Sequence, residues 1–354
     1  MSIDETVTAD GSEVTIRDIA RICGVGVSTV SRAINNHPDI NQETKKTIME
    51  TIQQYGYIPN NSARNLKRTD AKSIAILVKG LTNPFFSRMI RVIGDEIDKR
   101  KYSMVLRHVE YNEDEVDVAL ELIKEKRLRG IIFLGGYFYH SEDKLSKISI
   151  PFILATAGCI PENMNRKMYS SLTVDDEKEG YRITDYLIKQ GHKKIAILAG
   201  EVENISVGQL RLQGYKRALQ EHGLLLDEEL ICPMRDDIEY YSMENGYAVT
   251  SSLLEKRLDF TALFAISDVV AVGACRALID AGKRVPQDVA VAGYDGIDIG
   301  SYYSPSITTI KQPVDEIAQK SIYLLFDLIS RKKENQHHVF EGQLIIREST
   351  EVKR

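Results

Sequence analysis

Residues 15–36 read TIRDIARICGVGVSTVSRAINN, and their pattern predicts two short helices joined by a tight turn. Apolar residues recur at helical spacing in the first half, and Gly24 then ends the helix, as a C-terminal glycine does. Thr15 is placed to cap this helix, because its hydroxyl can accept a backbone N–H that has no partner inside the helix. A second helix is predicted from about Val27 to Asn35. The stretch therefore predicts a helix–turn–helix.

The predicted second helix has one polar face, and this face indicates what the segment binds. A short helix of this kind fits the DNA major groove, where its side chains reach base edges and phosphates. The alternative interpretation is a small amphipathic hairpin whose polar face only meets water, since short motifs also occur by chance. The candidate DNA contacts in this stretch are Thr15, Val27, Ser28, Thr29, Ser31, Arg32 and Asn35.

A third helix is predicted over residues 41–55, and YGYIPNNSARNLKR follows at residues 55–68. This segment, together with IRDIARICGVGVSTVSRAIN at residues 16–35, resembles the DNA-binding headpiece and hinge of the lactose/galactose repressor (LacI/GalR) family. The resemblance extends over nearly the whole chain. It implies a helix–turn–helix headpiece at 14–58, a hinge at 59–72, and a ligand-sensing and dimerisation domain at 73–354.

The resemblance implies further DNA contacts beyond the first two helices. In the family, the segment that matches Asn60 to Lys67 folds when two copies meet in the minor groove, and its leucine, here Leu66, wedges between base steps. The alternative for this segment is a flexible linker with one exposed leucine. Gly26 departs from the family, which usually has a serine there that can bond phosphate. The further contacts implied are Asn41, Thr44, Tyr57, Asn60, Ala63, Leu66 and Lys67.

The charge of the chain is unevenly distributed, and the distribution fits the predicted DNA contacts. The whole chain carries a formal net charge of −5. Residues 14–72 nevertheless hold nine Lys and Arg against five Asp and Glu, as expected of a segment that contacts phosphates. Residues 1–13 hold four acids and no base, and we expect them to be a disordered acidic leader.

Composition also indicates where the protein is located in the cell and whether it binds a cofactor. No run is long and apolar enough to span a membrane, and the N-terminus lacks the basic and apolar segments of a secretory signal. We therefore predict a cytoplasmic protein with no membrane partner. The four cysteines are scattered without CxxC spacing, which favours free buried thiols over disulfides or a metal site, and we expect no cofactor.

From residue 73 onward, short apolar strands alternate with amphipathic helices, which predicts an α/β fold of two doubly wound parallel sheets. The family resemblance implies a bilobed, periplasmic-binding-protein-like layout in which the chain crosses between the lobes three times. We assign the N-lobe to about 73–190 and 313–332, and the C-lobe to about 191–312 and 333–354. A final strand pair is expected near residues 339–347.

Polar and aromatic residues fall where the predicted strands end, and ligands of open α/β sheets bind beyond the carboxyl ends of strands. Carboxylates and a guanidinium can exchange hydrogen bonds with several hydroxyls, while an aromatic face covers an apolar ring face, which suits a sugar. In the family several of these positions contact the ligand, and purine ligands also occur. The candidate effector residues are Phe85, Phe86, Asp175, Arg211, Ser267, Asp268 and Asp295.

Each candidate effector residue also has a purely structural interpretation. Asp175 and Asp268 are placed to cap the helices that follow them. The two phenylalanines could be ordinary core residues, and Arg211 with Asp295 could form a structural ion pair. Their shared location at strand ends is the reason for favouring an effector site.

The sequence therefore predicts a ligand-controlled transcriptional regulator, most simply a repressor, that binds a pseudo-palindromic operator as a homodimer. A tail-mediated tetramer is not expected, because no heptad pattern follows Arg347. Two alternatives stay open: a regulator that responds to a purine or another corepressor, and a sugar-binding protein without specific DNA binding. An enzyme is not favoured, since we find no P-loop, no dinucleotide fingerprint and no catalytic triad or metal spacing.

Overall fold

The computed structural model describes residues 14–34, 36–57, 72–80, 82–110, 113–136, 140–158, 165–199 and 206–351. The chain divides after residue 71 into two compact units. The predicted acidic leader and nearly all of the predicted hinge lie outside the described residues.

The first unit contains the three predicted helices, α1 (Ile16–Ile22), α2 (Val27–Ile34) and α3 (Gln42–Gln54). Thr15 caps α1 as expected, because its hydroxyl accepts the Asp18 N–H while the Asp18 carboxylate accepts the Thr15 N–H. Gly24 has φ +64°, so the turn between α1 and α2 uses the left-handed conformation that glycine tolerates. The apolar faces of the three helices meet in one core of Ile19, Ala20, Val30, Ala33, Ile40 and Ile48.

The second unit is built on two six-stranded sheets, one in each lobe. The strands are β1 (Ser73–Lys79), β2 (Ser103–Val109), β3 (Leu128–Leu134), β4 (Phe152–Ala155), β5 (Ser170–Val174), β6 (Ile195–Ala199), β7 (Ile231–Pro233), β8 (Ala262–Ala265), β9 (Ala290–Asp295), β10 (Thr308–Lys311), β11 (His337–Phe340) and β12 (Gln343–Ile345). The N-lobe sheet has the order β11-β5-β4-β3-β1-β2, and the C-lobe sheet has the order β12-β10-β9-β8-β6-β7. All described pairings are parallel except that of β12 with β10, which confirms the predicted doubly wound α/β class.

Helices cover both faces of each sheet, which is why the central strands β1, β3, β6 and β8 are almost entirely buried. The helices are α4 (Pro84–Lys99), α5 (Glu115–Glu125), α6 (Glu142–Leu145), α7 (Asp176–Lys189), α8 (Val207–Glu221), α9 (Met243–Glu255), α10 (Asp268–Asp280), α11 (Asp298–Tyr302) and α12 (Val314–Ile329). A short 3-10 turn lies at Glu228–Leu230. The cores of each lobe are formed between these helices and the buried strands.

The chain crosses between the lobes three times, after β5, after β10 and after β11. Two predicted lobe boundaries are wrong. Helix α7, expected in the N-lobe, packs its Ile183 and Leu187 into the C-lobe core, because the chain crosses immediately before it. The last two strands were expected to pair, but β11 joins β5 of the N-lobe and β12 joins β10 of the C-lobe. The third crossing separates them.

The cysteines agree only in part with the expected buried thiols. Among the described residues, Cys23, Cys232 and Cys275 are free thiols, and Cys159 lies outside them. Cys232 and Cys275 are buried, but Cys23 is only partly buried at the edge of the headpiece core. The small three-helix core is too thin to cover it completely.

Candidate nucleic-acid interface and effector cleft

Helix α2 presents the face that the sequence assigned to DNA. Val30 and Ala33 are buried in the headpiece core, so they orient the helix. Val27, Ser28 and Arg32 lie on the opposite, exposed side, where Val27 keeps 42% of its surface open to solvent. An aliphatic residue with this exposure at a helix N-terminus suits contact with a thymine methyl group. Thr29 and Ser31 are half-buried along the edge of this face.

Three other predicted DNA contacts have structural roles of their own. Thr15 belongs to the capping box of α1, and Asn41 caps α3 by accepting the N–H groups of Glu43 and Thr44. Tyr57 packs against the headpiece core. These roles hold the helices in place and leave DNA contact at these positions as a prediction. Predicted contacts outside the described residues are Asn35, Asn60, Ala63, Leu66 and Lys67.

A cleft between the two lobes lies at the carboxyl ends of the parallel strands, where the sequence predicted an effector site. Its free volume is about 70 Å³, which is enough for several water molecules. The N-lobe contributes Lys79, Asn83, Phe85, Phe86, Gly135, Gly136 and Thr156, the C-lobe contributes Asp176, Ser206, Val207, Arg211, Tyr240, Tyr241 and Asp295, and the second crossing contributes Gln312.

Arg211, on α8, is the central cation of the cleft. Its Nε donates to Asp176 Oδ1 at 2.8 Å, and its Nη1 donates to the Ile266 carbonyl at 2.5 Å. Its Cζ atom lies 3.6 Å from the centre of the Tyr294 ring. Burial opposes the charge of Arg211, but the combined fields of Asp176, Tyr294 and Asp295 outweigh it and raise the pKa of Arg211. The guanidinium is therefore charged and held rigidly against the cleft.

Asp295, at the end of β9, is the acceptor that connects both lobes and the second crossing. It accepts from Gln312 Nε2 at 2.9 Å and from Asn83 Nδ2 at 3.5 Å. Its Oδ1 lies 3.9 Å from Arg211 Nη2, so the structural ion pair considered from the sequence is loose, and Asp176 is the close partner of Arg211. Burial raises the pKa of Asp295 to about 6, against the opposing charge of Arg211.

The backbone of the cleft is strained at positions that touch its interior. Asp295 has φ +108° and Thr156 has φ +54°, although neither is glycine. Such conformations persist only where the surroundings hold them, and they concentrate at ligand sites. Gly135 has φ +73°, and a Cβ there would lie 2.7 Å from the Phe86 ring and 2.8 Å from the Lys79 carbonyl. Only glycine therefore lets the Phe86 ring reach this wall.

Two aromatic pairs face the cleft from opposite lobes. Phe85 and Phe86 meet edge to face with ring centres 5.2 Å apart, and Tyr240 and Tyr241 do so at 5.1 Å. The sequence predicted the first pair and missed the second, which precedes α9 in a loop. Two adjacent tyrosines beside a helix N-cap were the available signal, but nothing local to them indicated which wall they face.

Lys79 is a second buried cation of the cleft that the sequence did not single out. Its Nζ donates to Glu115 Oε2 at 3.3 Å and to the Glu113 carbonyl at 3.1 Å. Glu115 is also 3.3 Å from His140 Nε2. Although burial opposes ionisation, the hydrogen bond from His140 and the charge of Lys79 lower the pKa of Glu115. The positive charge of Lys79 is thus balanced by Glu115 within the N-lobe.

Three predicted effector residues do not line this cleft. Asp175 is exposed and caps α7 by accepting the Lys178 N–H, whereas its neighbour Asp176 turns inward to Arg211. Ser267 is buried and caps α10 by accepting the Val270 N–H. Asp268 is completely buried behind the turn that follows β9. The capping interpretation is correct for Asp175. It is wrong for Asp268, because Ser267 is the N-cap and Asp268 is the first residue inside the helix. Phe85, Phe86, Arg211 and Asp295 do meet in the cleft.

Two family profiles match the chain. The profile described as bacterial regulatory proteins, lacI family, matches residues 15–60, and the periplasmic binding protein-like domain matches residues 184–350. The regulator MalR of Clostridium butyricum is 44% identical over 94% of this chain and 98% of its own length. The repressor PurR of Pasteurella multocida is 32% identical over 95% and 98%.

Solved structures give the same assignment. The lac repressor dimer bound to operator and the anti-inducer ONPF has a TM-score of 0.70 and 25% identity, over 96% of this chain and 99% of that one. The regulator CelR in complex with cellobiose has a TM-score of 0.67 and 28% identity, over 95% and 99%.

The fold and the site define a helix–turn–helix transcriptional regulator with a periplasmic-binding-protein-like ligand domain. The chain belongs to the LacI family of bacterial regulators. The members of this family are typically transcriptional regulators and not enzymes. Within the described residues, no helix has the length and apolar character needed to cross a membrane.

Proposed function

We propose that the chain is a dimeric repressor that binds operator DNA through α2 and releases it when a sugar enters the interlobe cleft. The observation that carries the effector assignment is the convergence of a rigid guanidinium, two buried carboxylates and two aromatic pairs on one cleft. Sugar hydroxyls both donate and accept hydrogen bonds, while sugar ring faces are apolar, so this combination matches both properties of the ligand.

The charge balance of the cleft supports an uncharged effector. Arg211 is paired with Asp176, and Lys79 is paired with Glu115. An anionic ligand would have to compete with these buried carboxylates for their cations, which is costly in a site of low dielectric constant. A neutral polyol can instead use the free acceptor positions of Asp295. CelR, a structure similar to this chain, holds cellobiose.

The exposed edge of the N-lobe sheet supports a dimer. Strand β2 has β1 as its neighbour and ends the sheet, and Met104 and Leu106 expose 40% and 43% of their surface there. An exposed apolar edge strand is a liability for a monomer and a suitable surface for a second copy. The similar lac repressor structure is a dimer on its operator.

Contacts across the cleft provide the means of coupling between effector and DNA. Asn83 of the N-lobe reaches Asp295 of the C-lobe, and Thr82 Oγ1 donates to Glu239 Oε1 at 2.7 Å. Asp176 and Gln312, which line the cleft, stand where the chain crosses between lobes. A ligand that replaces these contacts shifts one lobe against the other. By linkage, the operator then weakens effector binding by the same factor.

The DNA part is tested by selection from random duplexes with the purified full-length chain at moderate salt. We expect one pseudo-palindrome to be enriched, with half-sites about one helical turn apart. The Arg32→Ala variant serves as control and should retain only the salt-dependent, non-specific component. Enrichment of no sequence by the wild type would contradict specific regulation.

The effector part is tested by titrating the enriched duplex complex with cellobiose, maltose and ribose. We expect one of the three to weaken DNA binding at least ten-fold. Asp295→Asn should bind the duplex normally and lose this response, because the amide removes acceptor capacity from the cleft while keeping the shape. Tighter DNA binding on addition of a purine base, with no effect of the sugars, would identify a corepressor instead.

A further inference from the structure

Asp268 lies behind the cleft rather than in it, and it contacts the turn that leaves β9. The residue is completely buried at the first turn of α10. Its Oδ2 accepts the Ile297 N–H at 2.8 Å. Gly293 on β9 is packed directly against it, since a Cβ added there would lie 2.4 Å from Asp268 Oδ1. The carboxyl group therefore fills a space between α10 and the turn at 295–297.

The backbone of the turn at 295–297 has an unfavourable conformation. Asp295 has φ +108° and Gly296 has φ +74°, so two successive residues lie on the left-handed side. For a residue with a side chain, this conformation costs free energy and needs support from its surroundings. The Gly296 N–H is held by Thr309 Oγ1 at 3.2 Å, and the Ile297 N–H is held by Asp268. The two contacts fix the turn from its two sides.

The turn determines where the Asp295 carboxyl points. Asp295 reaches Gln312 of the second crossing and Asn83 of the opposite lobe from this backbone conformation. If the turn relaxed to ordinary backbone angles, the side chain would leave the cleft. The support for the turn is therefore also support for the ligand-binding position of Asp295.

We propose that Asp268 is a positioning residue that holds the 295–297 turn and so presents Asp295 to the effector. The role rests on the proposed effector function of the cleft, and Asp268 itself touches no ligand. It accounts for a buried acid that contributes no surface to the cleft.

The protonation state of Asp268 determines which substitutions test the proposal. Burial and the nearby charge of Asp295 raise the pKa of Asp268 to about 8, against opposing hydrogen bonds from Thr309 and from the Ile297 and Gly296 backbone. Asp268 is thus mostly an uncharged carboxylic acid at neutral pH. An asparagine has the same shape and the same acceptor oxygen, so it should replace the acid, whereas alanine removes the contact.

The first experiment measures amide hydrogen exchange in the peptide 295–302 of the ligand-free full-length chain. In Asp268→Ala we expect exchange in this peptide to accelerate about ten-fold, the loss associated with one buried hydrogen bond. Asp268→Asn should exchange like the wild type. Ser267→Ala removes the cap of the same helix without touching the turn, and it should leave this peptide unchanged. Equal exchange in wild type and Asp268→Ala would overturn the proposal.

The second experiment measures affinity for cellobiose, maltose and ribose by calorimetry with the same variants. Asp268→Ala should weaken binding of the active sugar at least ten-fold and leave operator affinity unchanged, and Asp268→Asn should restore sugar binding. Above pH 8 the wild type should lose affinity, because the ionised Asp268 repels Asp295, while Asp268→Asn should not. Identical pH profiles would contradict the role. Binding of no sugar by the wild type would refute the effector function, and the exchange result would still decide the positioning role.

Discussion

Replacing Arg211 tests whether the buried pair with Asp176 organises the cleft. Arg211→Met keeps the volume of the side chain but removes its bonds to Asp176 and to the Ile266 carbonyl, and its charge over Tyr294. Removing one partner of a buried ion pair costs about 3–5 kcal/mol, because the other charge stays buried without compensation. For a unit of this size, that loss lowers Tm by about 6–10 °C.

The pH dependence of this variant has a definite sign. Burial raises the pKa of Asp176 even when Arg211 is present. Removing the Arg211 charge should raise the pKa of Asp176 further, because that charge opposes the effect of burial. A carboxyl group with a raised pKa in the folded state loses stabilisation as pH rises through that pKa. The deficit of Arg211→Met should therefore be larger at pH 8 than at pH 5.

The assay is thermal and urea unfolding followed by far-UV circular dichroism, since the chain has no tryptophan. The double variant Arg211→Met with Asp176→Asn should recover about 2 kcal/mol relative to the sum of the two single losses. Arg217→Met on the same helix is the matched control. Its ion pair with Glu177 is half-exposed, so its loss should cost less than about 1 kcal/mol. Strict additivity of the two single changes would refute the coupling.

Three further outcomes follow from the structure. Arg32→Ala should lower affinity for the selected operator at least ten-fold in fluorescence anisotropy while the circular dichroism spectrum is preserved, and an unchanged affinity would remove Arg32 from the interface. Met104→Lys with Leu106→Lys should shift sedimentation from dimer to monomer, and a persistent dimer would place the interface elsewhere. Asp268→Asn should be more stable than the wild type at pH 8 but not at pH 3, because the stabilisation associated with this acid is present below its unfolded-state pKa of 3.8 and is lost as pH rises towards about 8. A constant difference across this pH range would show that folding does not raise the pKa of Asp268.

The local sequence was sufficient to predict the headpiece helices and the α/β fold class of the second unit. The Thr15 cap, the left-handed Gly24 and the apolar spacing of α1 and α2 act within a few residues, so they can be recognised without any tertiary contact. The alternation of apolar strands and amphipathic helices likewise reports local burial. For the same reason, the predicted second and third helices, 27–35 and 41–55, agree with α2 and α3 within one residue at each end.

The third crossing shows where local pattern fails. Strands β11 and β12 are close in sequence and both short, which favours a hairpin from pattern alone. They belong to different sheets, and Glu179 of α7 accepts the Gly342 N–H at 3.0 Å where the chain passes to the C-lobe. That contact joins residues far apart in sequence, so no local signal indicates it.

The sequence by itself determined the helix–turn–helix, the α/β class and four cleft residues, because strand ends and helix faces follow from local periodicity. Only the tertiary structure decided which of two adjacent acids, Asp175 and Asp176, turns inward, and that choice depends on Arg211 approaching from another helix. It also placed Tyr240 and Tyr241 on the cleft wall and Asp268 behind it. Burial and pairing of polar groups are properties of the assembled lobes, since each requires partners that the chain brings together only on folding.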